Sequence, residues 1–187
     1  MSPGPGPSTA GRPLPDISVL AAVQLLLLDV DGVLTDGRIW FDPSGAEYKS
    51  FHVQDAAGIF YWHRAGGRSG FVSGRGAETV ARRAQELGVH EVWLGRVDKA
   101  TVFADILRRL QLPAAQVAYV GDDLLDLQIL RQVGFAATVP EGRREVKAVC
   151  HYVAERPAGF GAVRDIIEVL LRARGAWDAI VGKEGLP

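Results

Sequence analysis

The sequence holds a single cysteine, Cys150, among 187 residues. An internal disulfide is therefore excluded, and a reducing compartment is the natural expectation. Cys150 reads as a small buried apolar residue, not as a nucleophile. Charge of one sign is also missing: 21 Lys and Arg stand against 22 Asp and Glu, for a net charge of -1. The arginines are interspersed with acids and form no basic block, so there is no electrostatic footprint for nucleic acid. Long apolar runs are lacking, since the longest, around Leu25 to Leu28, is far too short to span a membrane. The N-terminus shows no charged region followed by an apolar stretch, the mark of a secretory signal. The four histidines, His52, His63, His90 and His151, have no ligand spacing, which argues against zinc. These absences predict a cytoplasmic protein with neither a membrane nor a nucleic-acid partner.

What is present is the balance of a globular domain, 48% hydrophobic and 23% charged, long enough to bury a core. Residues 1–16 carry five of the ten prolines, with Gly and Ser between them. That composition predicts a disordered tail over 1–20, a core domain over 21–174 and a C-terminal tail over 175–187. Inside the core, strand and helix signals alternate. Leu25–Val30 is an apolar run ending in acid, as in a buried parallel strand. Ile39–Phe41 and Glu47–Phe51 flank the turn cluster Asp42-Pro43-Ser44-Gly45, which predicts a β-hairpin within 38–51. Helix signals follow over Gln54–Arg64, Ala77–Leu87, Lys99–Leu110, Leu124–Val133, Arg143–Val149 and Ala162–Arg172. Strand signals fall at Arg68–Val72, Glu91–Leu94, Val117–Val120, Phe135–Val139 and His151–Val153. This alternation predicts an α/β fold with a doubly wound, mainly parallel, Rossmann-like sheet. In such sheets the site lies beyond the carboxyl ends of the strands.

Polar clusters stand just after the strands. The strongest is Asp29-Val30-Asp31-Gly32-Val33-Leu34-Thr35-Asp36. An apolar strand does not end in clustered acids for packing reasons, because buried like charges repel and lose solvation. A divalent cation would offset that repulsion. Val72-Ser73-Gly74-Arg75-Gly76 offers a hydroxyl and free backbone N–H groups at a helix start, a phosphate cradle, although a plain cap and turn has the same composition. Lys99 opens an amphipathic helix and is uninformative alone. Gly121-Asp122-Asp123-Leu124-Leu125-Asp126 puts three acids at a second strand end. Helix capping accounts for one of them, and metal binding gains weight for the others.

The order of these four clusters resembles the haloacid dehalogenase superfamily, whose Asp-x-Asp, Ser/Thr, Lys and Gly-Asp-Asp-like motifs each follow a strand. Asp29/Asp31, Ser73, Lys99 and Asp122/Asp123/Asp126 fill the four places, over roughly residues 24–172. Several stretches are similar to the 3-deoxy-D-manno-octulosonate 8-phosphate phosphatase family and its sialic-acid-type relatives: Asp29–Gly37, Gly45 and Glu47 in the hairpin, Phe51–Asp55, Gly58-Ile59, Asp98-Lys99, Ala118–Leu124 and Gly159–Arg164. Phe160 departs from the pattern, standing where that family often has Arg. The resemblance implies an Mg²⁺-dependent phosphatase acting on a sugar-acid phosphate through an aspartyl phosphate. Asp29 would be the nucleophile and Asp31 the acid and base. Ser73, Gly74 and Arg75 would hold phosphate, with Lys99 neutralising charge. Asp29, Asp31 and Asp122 would hold the metal, Asp123 and Asp126 would orient water or Lys99, and Asp55 would contact substrate.

Only 42 positions separate Asp31 from Ser73, and 26 separate Ser73 from Lys99, so no cap domain fits. The resemblance then implies a homotetramer in which one subunit's hairpin covers the next subunit's site. Arg38, Trp40, Glu47 and Lys49 are either substrate contacts or ordinary hairpin surface. Two other readings stay open: a nine-carbon sugar-acid 9-phosphate as substrate, and a non-catalytic tetramerisation module like that appended to some sialic-acid-activating enzymes.

Overall fold

Four consecutive leucines, Leu25–Leu28 (β1), form the axis of the fold, and all four are fully buried. Successive strand side chains point to opposite faces. Leu26 and Leu28 therefore enter one hydrophobic cluster, and Leu25 and Leu27 enter the other. A computed structural model of the chain describes residues 10–184. In chain order, helix α1 (Ile17–Ala21) precedes β1, and the hairpin strands β2 (Trp40–Phe41) and β3 (Glu47–Tyr48) follow it. Then come α2 (Val53–Arg64), β4 (Arg68–Val72), α3 (Glu78–Glu86), β5 (Glu91–Trp93) and α4 (Lys99–Leu110). The second half holds β6 (Val117–Val120), α5 (Leu127–Leu130), β7 (Phe135–Thr138), α6 (Arg144–Lys147), β8 (Tyr152–Val153), α7 (Ala162–Ala173) and α8 (Trp177–Glu184).

The six main strands are all parallel, in the order β5-β4-β1-β6-β7-β8. One cluster packs side chains of α1, α2, α3, α7 and α8 on one face of the sheet, and the other packs α4, α5 and α6 on the opposite face. The chain winds outward from β1 through β4 to β5, then returns to β6 on the other side of β1 and winds to β8. The carboxyl ends of β1 and β6 thus meet at the point where the winding reverses, which is where open α/β sheets bind ligands.

The structure differs from the sequence reading mainly at the ends. Residues 1–9 of the expected tail lie outside the described residues, but the chain is placed from residue 10. The Gly11 N–H donates to the Lys147 carbonyl at 2.8 Å and the Arg12 N–H to that of Cys150 at 3.0 Å. Leu20, on α1, is buried in the first cluster. A Pro- and Gly-rich composition marks the loss of helix and strand, and it does not register an extended segment that docks through its backbone. The C-terminal tail likewise contains α8, whose Ile180 is buried. Trp177 anchors it by stacking under Arg164 and Arg172, with guanidinium-to-ring distances of 5.1 and 5.0 Å. The helix expected over Leu124–Val133 divides into a 3₁₀ turn, Leu124–Asp126, and α5. The Asp126 side chain reaches back to the N–H groups of Asp122 and Asp123 and tightens that first turn.

The approach to β4 is close-packed. Trp62 is fully buried, its indole N–H donates to the Arg68 carbonyl at 2.8 Å, and the Arg174 guanidinium lies 4.0 Å from its ring centre. A methyl group at Gly67 would meet that indole at 2.1 Å, whereas at neighbouring Gly66 it would meet nothing within 4 Å. Gly67→Ala should therefore overpack the core and cost about 2–3 kcal/mol. Gly66→Ala, strained only by its left-handed backbone, should cost about 1–2 kcal/mol. Urea unfolding midpoints of the two variants check the order; equal losses would contradict it.

Candidate active site

Asp29 continues β1 by one residue, its N–H donating to the Val120 carbonyl at 2.9 Å. Its carboxylate Oδ1 accepts the Val30 N–H at 2.7 Å, and its Oδ2 pairs with Lys99 Nζ at 2.8 Å. The following loop is wound around Val30, whose carbonyl accepts the N–H groups of Val33, Leu34 and Thr35. The fully buried Thr35 hydroxyl accepts the N–H groups of Gly32 and Gly37 and fixes the loop from inside. Gly32 has φ +85°, and a side-chain carbon there would strike the Asp122 carboxylate at 2.3 Å. The glycine thus lets the β6 acid close on the β1 loop.

Lys99 is buried at the start of α4 and its ammonium lies between two carboxylates, 2.8 Å from Asp29 and 2.7 Å from Asp126. Burial opposes its charge, but Asp29 and Asp126 outweigh that and hold its pKa above the ordinary lysine range. Burial, with Asp126 adding to it, pushes Asp29 up to about 6 despite the ammonium. Burial, followed by Asp29 and Asp126, pushes Asp122 up to about 7. Asp126 is fully buried and saturated: Oδ1 accepts from Lys99 and from the Tyr119 hydroxyl at 2.6 Å, and Oδ2 accepts the N–H groups of Asp122 and Asp123 at 3.0 and 3.2 Å. Asp123 caps the 3₁₀ turn, its carboxylate accepting the Leu124 N–H at 2.7 Å.

Across the cleft, Ser73 leaves β4 with its N–H on the Trp93 carbonyl and its Oγ accepting the Arg75 N–H at 3.1 Å. Asp29, Asp31, Ser73, Gly74, Arg75, Lys99, Asp122, Asp123, Leu125 and Asp126 line one cleft of about 250 Å³. Larger clefts lie beside Trp93 and Arg96 and beside Arg12 and His151, but neither gathers such a set of acids around a buried lysine.

The hairpin reaches this cleft from within the same chain. Lys49, its side chain fully buried, pairs with Asp31 Oδ1 and with Glu47 at 3.1 Å. Glu47 in turn pairs with Arg75 at 2.9 Å. Lys49 and Glu47 therefore bridge the two acidic and phosphate-type loops, while Trp40, Phe41 and Tyr48 stay exposed. Arg38 turns to Asp36 at 3.7 Å.

Asp55 does not join the site, contrary to the expectation of a substrate contact. It is buried between α2 and α7, where its carboxylate accepts the N–H groups of Gly161 at 3.2 Å and Arg164 at 2.8 Å. Both oxygens are committed to the start of α7, so its role is to cap that helix. Sequence reasoning missed Tyr119. A hydroxyl within the apolar Val117–Val120 run needs a buried acceptor, and the following acids were the available ones.

A divalent cation fits the residues present. One carboxylate oxygen each from Asp29, Asp122 and Asp126 lies within 4.8 Å of the others. Asp31 Oδ2 and Asp122 Oδ1 are buried without a hydrogen-bond partner. An all-oxygen donor set suits a hard cation such as Mg²⁺.

Comparison with known proteins agrees with this geometry. A family model described as haloacid dehalogenase-like hydrolase matches residues 86–167. The 3-deoxy-D-manno-octulosonate 8-phosphate phosphatase of Escherichia coli K12 is 36% identical over 161 residues, covering 86% of each chain. The crystal structure of the Moraxella catarrhalis phosphatase of that name, in complex with magnesium ion, phosphate ion and KDO, superposes with a TM-score of 0.87 at 35% identity, covering 89% of this chain and 96% of that one. A probable YrbI family phosphatase from Pseudomonas syringae pv. phaseolica gives the same TM-score at 39% identity, covering 91% and 98%. The chain belongs to the haloacid dehalogenase-like hydrolases and, within them, to the 3-deoxy-D-manno-octulosonate 8-phosphate phosphatase family.

Proposed function

We propose that this protein is an Mg²⁺-dependent phosphatase that hydrolyses 3-deoxy-D-manno-octulosonate 8-phosphate through an aspartyl phosphate. The observation that carries this reading is the buried Asp29–Lys99–Asp126 arrangement facing Ser73 across a cleft rimmed by Asp31 and Asp122. The Moraxella relative with magnesium, phosphate and KDO supports the choice of cation and substrate.

Asp29, Asp122 and the Asp31 backbone carbonyl would hold the cation. When bound, it supplies positive charge to the phosphoryl oxygens and to the acids around it. Lys99 neutralises Asp29 and the incoming phosphate from the other side, and the Ser73 hydroxyl with the Gly74 N–H holds phosphoryl oxygens. An Asp29 carboxylate oxygen attacks phosphorus and the bond from phosphorus to the sugar oxygen breaks. Asp31 gives its proton to that oxygen as it leaves. It then takes one from a water that attacks the phosphorus and releases Asp29. Lys49 occupies Asp31 Oδ1, leaving Oδ2 for the proton transfers. Arg75, steadied by Glu47, closes the phosphate side. No helix among the described residues is long and apolar enough to cross a membrane, and a cytoplasmic site of action is part of the proposal.

Phosphate release from the eight-carbon 8-phosphate, with Mg²⁺, tests the reading, and a nine-carbon 9-phosphate should be hydrolysed more slowly. Asp29→Asn should reduce release to background with the fold retained by circular dichroism, since an amide does not form the acyl phosphate. Turnover by a deamidation-free Asp29→Asn protein, or preference for the nine-carbon acid, would refute it.

The site electrostatics give a pH dependence. Asp29 and Asp122 have folded values raised above the ordinary 3.8, to about 6 and about 7. Without a cation the folded state therefore holds protons that the unfolded chain has lost, and stability falls as pH rises from about 4 through about 7. Mg²⁺ must displace those protons, so its stabilising effect should grow over the same range. Melting temperatures with and without Mg²⁺ at pH 5.5 and pH 8 check this: the Mg²⁺-induced rise should be larger at pH 8.

The exposed Trp40, Phe41 and Tyr48 on a two-stranded hairpin support a homotetramer in which hairpins pack on neighbouring subunits. Light scattering should give four times the chain mass. A fully active monomer across dilution would exclude the assembly.

A further inference from the structure

Three carboxylates, those of Asp29, Asp122 and Asp126, lie close enough to share one cation, yet they are not equally free. A carboxylate has about four lone-pair sites, and Asp126 uses them on Lys99, Tyr119 and the N–H groups of Asp122 and Asp123. Asp122 Oδ1, by contrast, is buried and unpartnered. Two of the Asp126 donors are backbone groups that any sequence supplies, and the third, Lys99, is shared with Asp29. The fourth is a single side-chain oxygen, the Tyr119 hydroxyl, 2.6 Å away.

Tyr119 lies in the middle of β6 and is fully buried in the second hydrophobic cluster. Its ring fills space that a phenylalanine ring would fill equally, so packing accounts for the ring and not for the hydroxyl. Burying that hydroxyl beside an acid is costly unless it makes this bond. We infer that Tyr119 is a positioning residue that withholds Asp126 from the cation, so that the metal meets two carboxylates and Lys99 stays aligned on Asp29. The inference rests on the phosphatase reading given above. It also accounts for cation choice: Mg²⁺ takes few carboxylates and keeps its waters, whereas Ca²⁺ takes six to eight oxygens and would gain from a third acid.

Tyr119→Phe removes the oxygen and keeps the ring. Calorimetric titration of the metal-free protein with Mg²⁺ and with Ca²⁺, beside wild type, reads the consequence without turnover. The ratio of Ca²⁺ to Mg²⁺ affinity should rise about tenfold, and kcat with Mg²⁺ should fall about tenfold or more while KM changes little, as for other groups that orient metal ligands. Tyr119→Leu also lacks the hydroxyl and should shift the ratio in the same direction. An unchanged ratio in either folded variant overturns the inference while leaving the phosphatase reading intact. Failure of both variants to fold overturns it too, because the hydroxyl would then serve the fold at large. A wild type that neither binds Mg²⁺ nor releases phosphate overturns the phosphatase reading, and this inference with it.

Discussion

The buried ammonium of Lys99 holds the centre of this molecule together. Lys99 lies between Asp29, at the end of the β1 strand, and Asp126, in the turn after β6. Two carboxylates at neighbouring strand ends would repel each other inside a protein, where water does not screen them. The lysine turns that repulsion into two ion pairs and ties α4 to both halves of the sheet. The compensation is partial, since Asp29 is still pushed up to about 6 and Asp122 to about 7. The residual negative charge is what a divalent cation would offset.

Four buried and half-buried acids divide by what satisfies them. Asp55 and Asp126 accept backbone N–H groups through both or one of their oxygens and are fixed as parts of the frame. Asp31 and Asp122 each keep one buried oxygen without a partner. Such an oxygen is expensive unless something binds it. The hairpin belongs to the same economy of charge. Asp31, Lys49, Glu47 and Arg75 alternate in sign, so the position of the hairpin is coupled to both the acidic loop and the phosphate-type loop. The likeness of these residues to a free surface ribbon in the sequence hid that coupling.

The alternation of strand and helix was legible because the two central strands are short apolar runs closed by acid or glycine, β1 by Asp29 and β6 by Gly121. Leu25 to Leu28 is the clearest case, and it occupies the sheet centre. The gathering of Asp29, Ser73, Lys99 and Asp122 was legible because each follows a strand and parallel strands share one carboxyl edge. Asp55 was misread because a carboxylate's burial partner was 106 positions away at Gly161, beyond the reach of any local pattern. The tails were misread for a related reason. Gly11 docks by backbone bonds to Lys147, and Trp177 by stacking on Arg164 and Arg172, and neither contact leaves a periodic trace.

The place of β1 also sets an order of events during synthesis. Leu25 pairs with Arg68 on one side and with Val117 on the other. A ribosome-bound chain that has reached Trp93 holds β1, β4 and β5, one side of the sheet, with the other backbone edge of β1 still unpaired. That edge carries four leucines and is an invitation to wrong pairing until Val117–Val120 emerges, because long-range parallel pairing is slow. Asp122 and Asp126 arrive with that second half. The repulsion of Asp122 and Asp126 with Asp29 therefore arises only once β6 docks, after Lys99 has already been made.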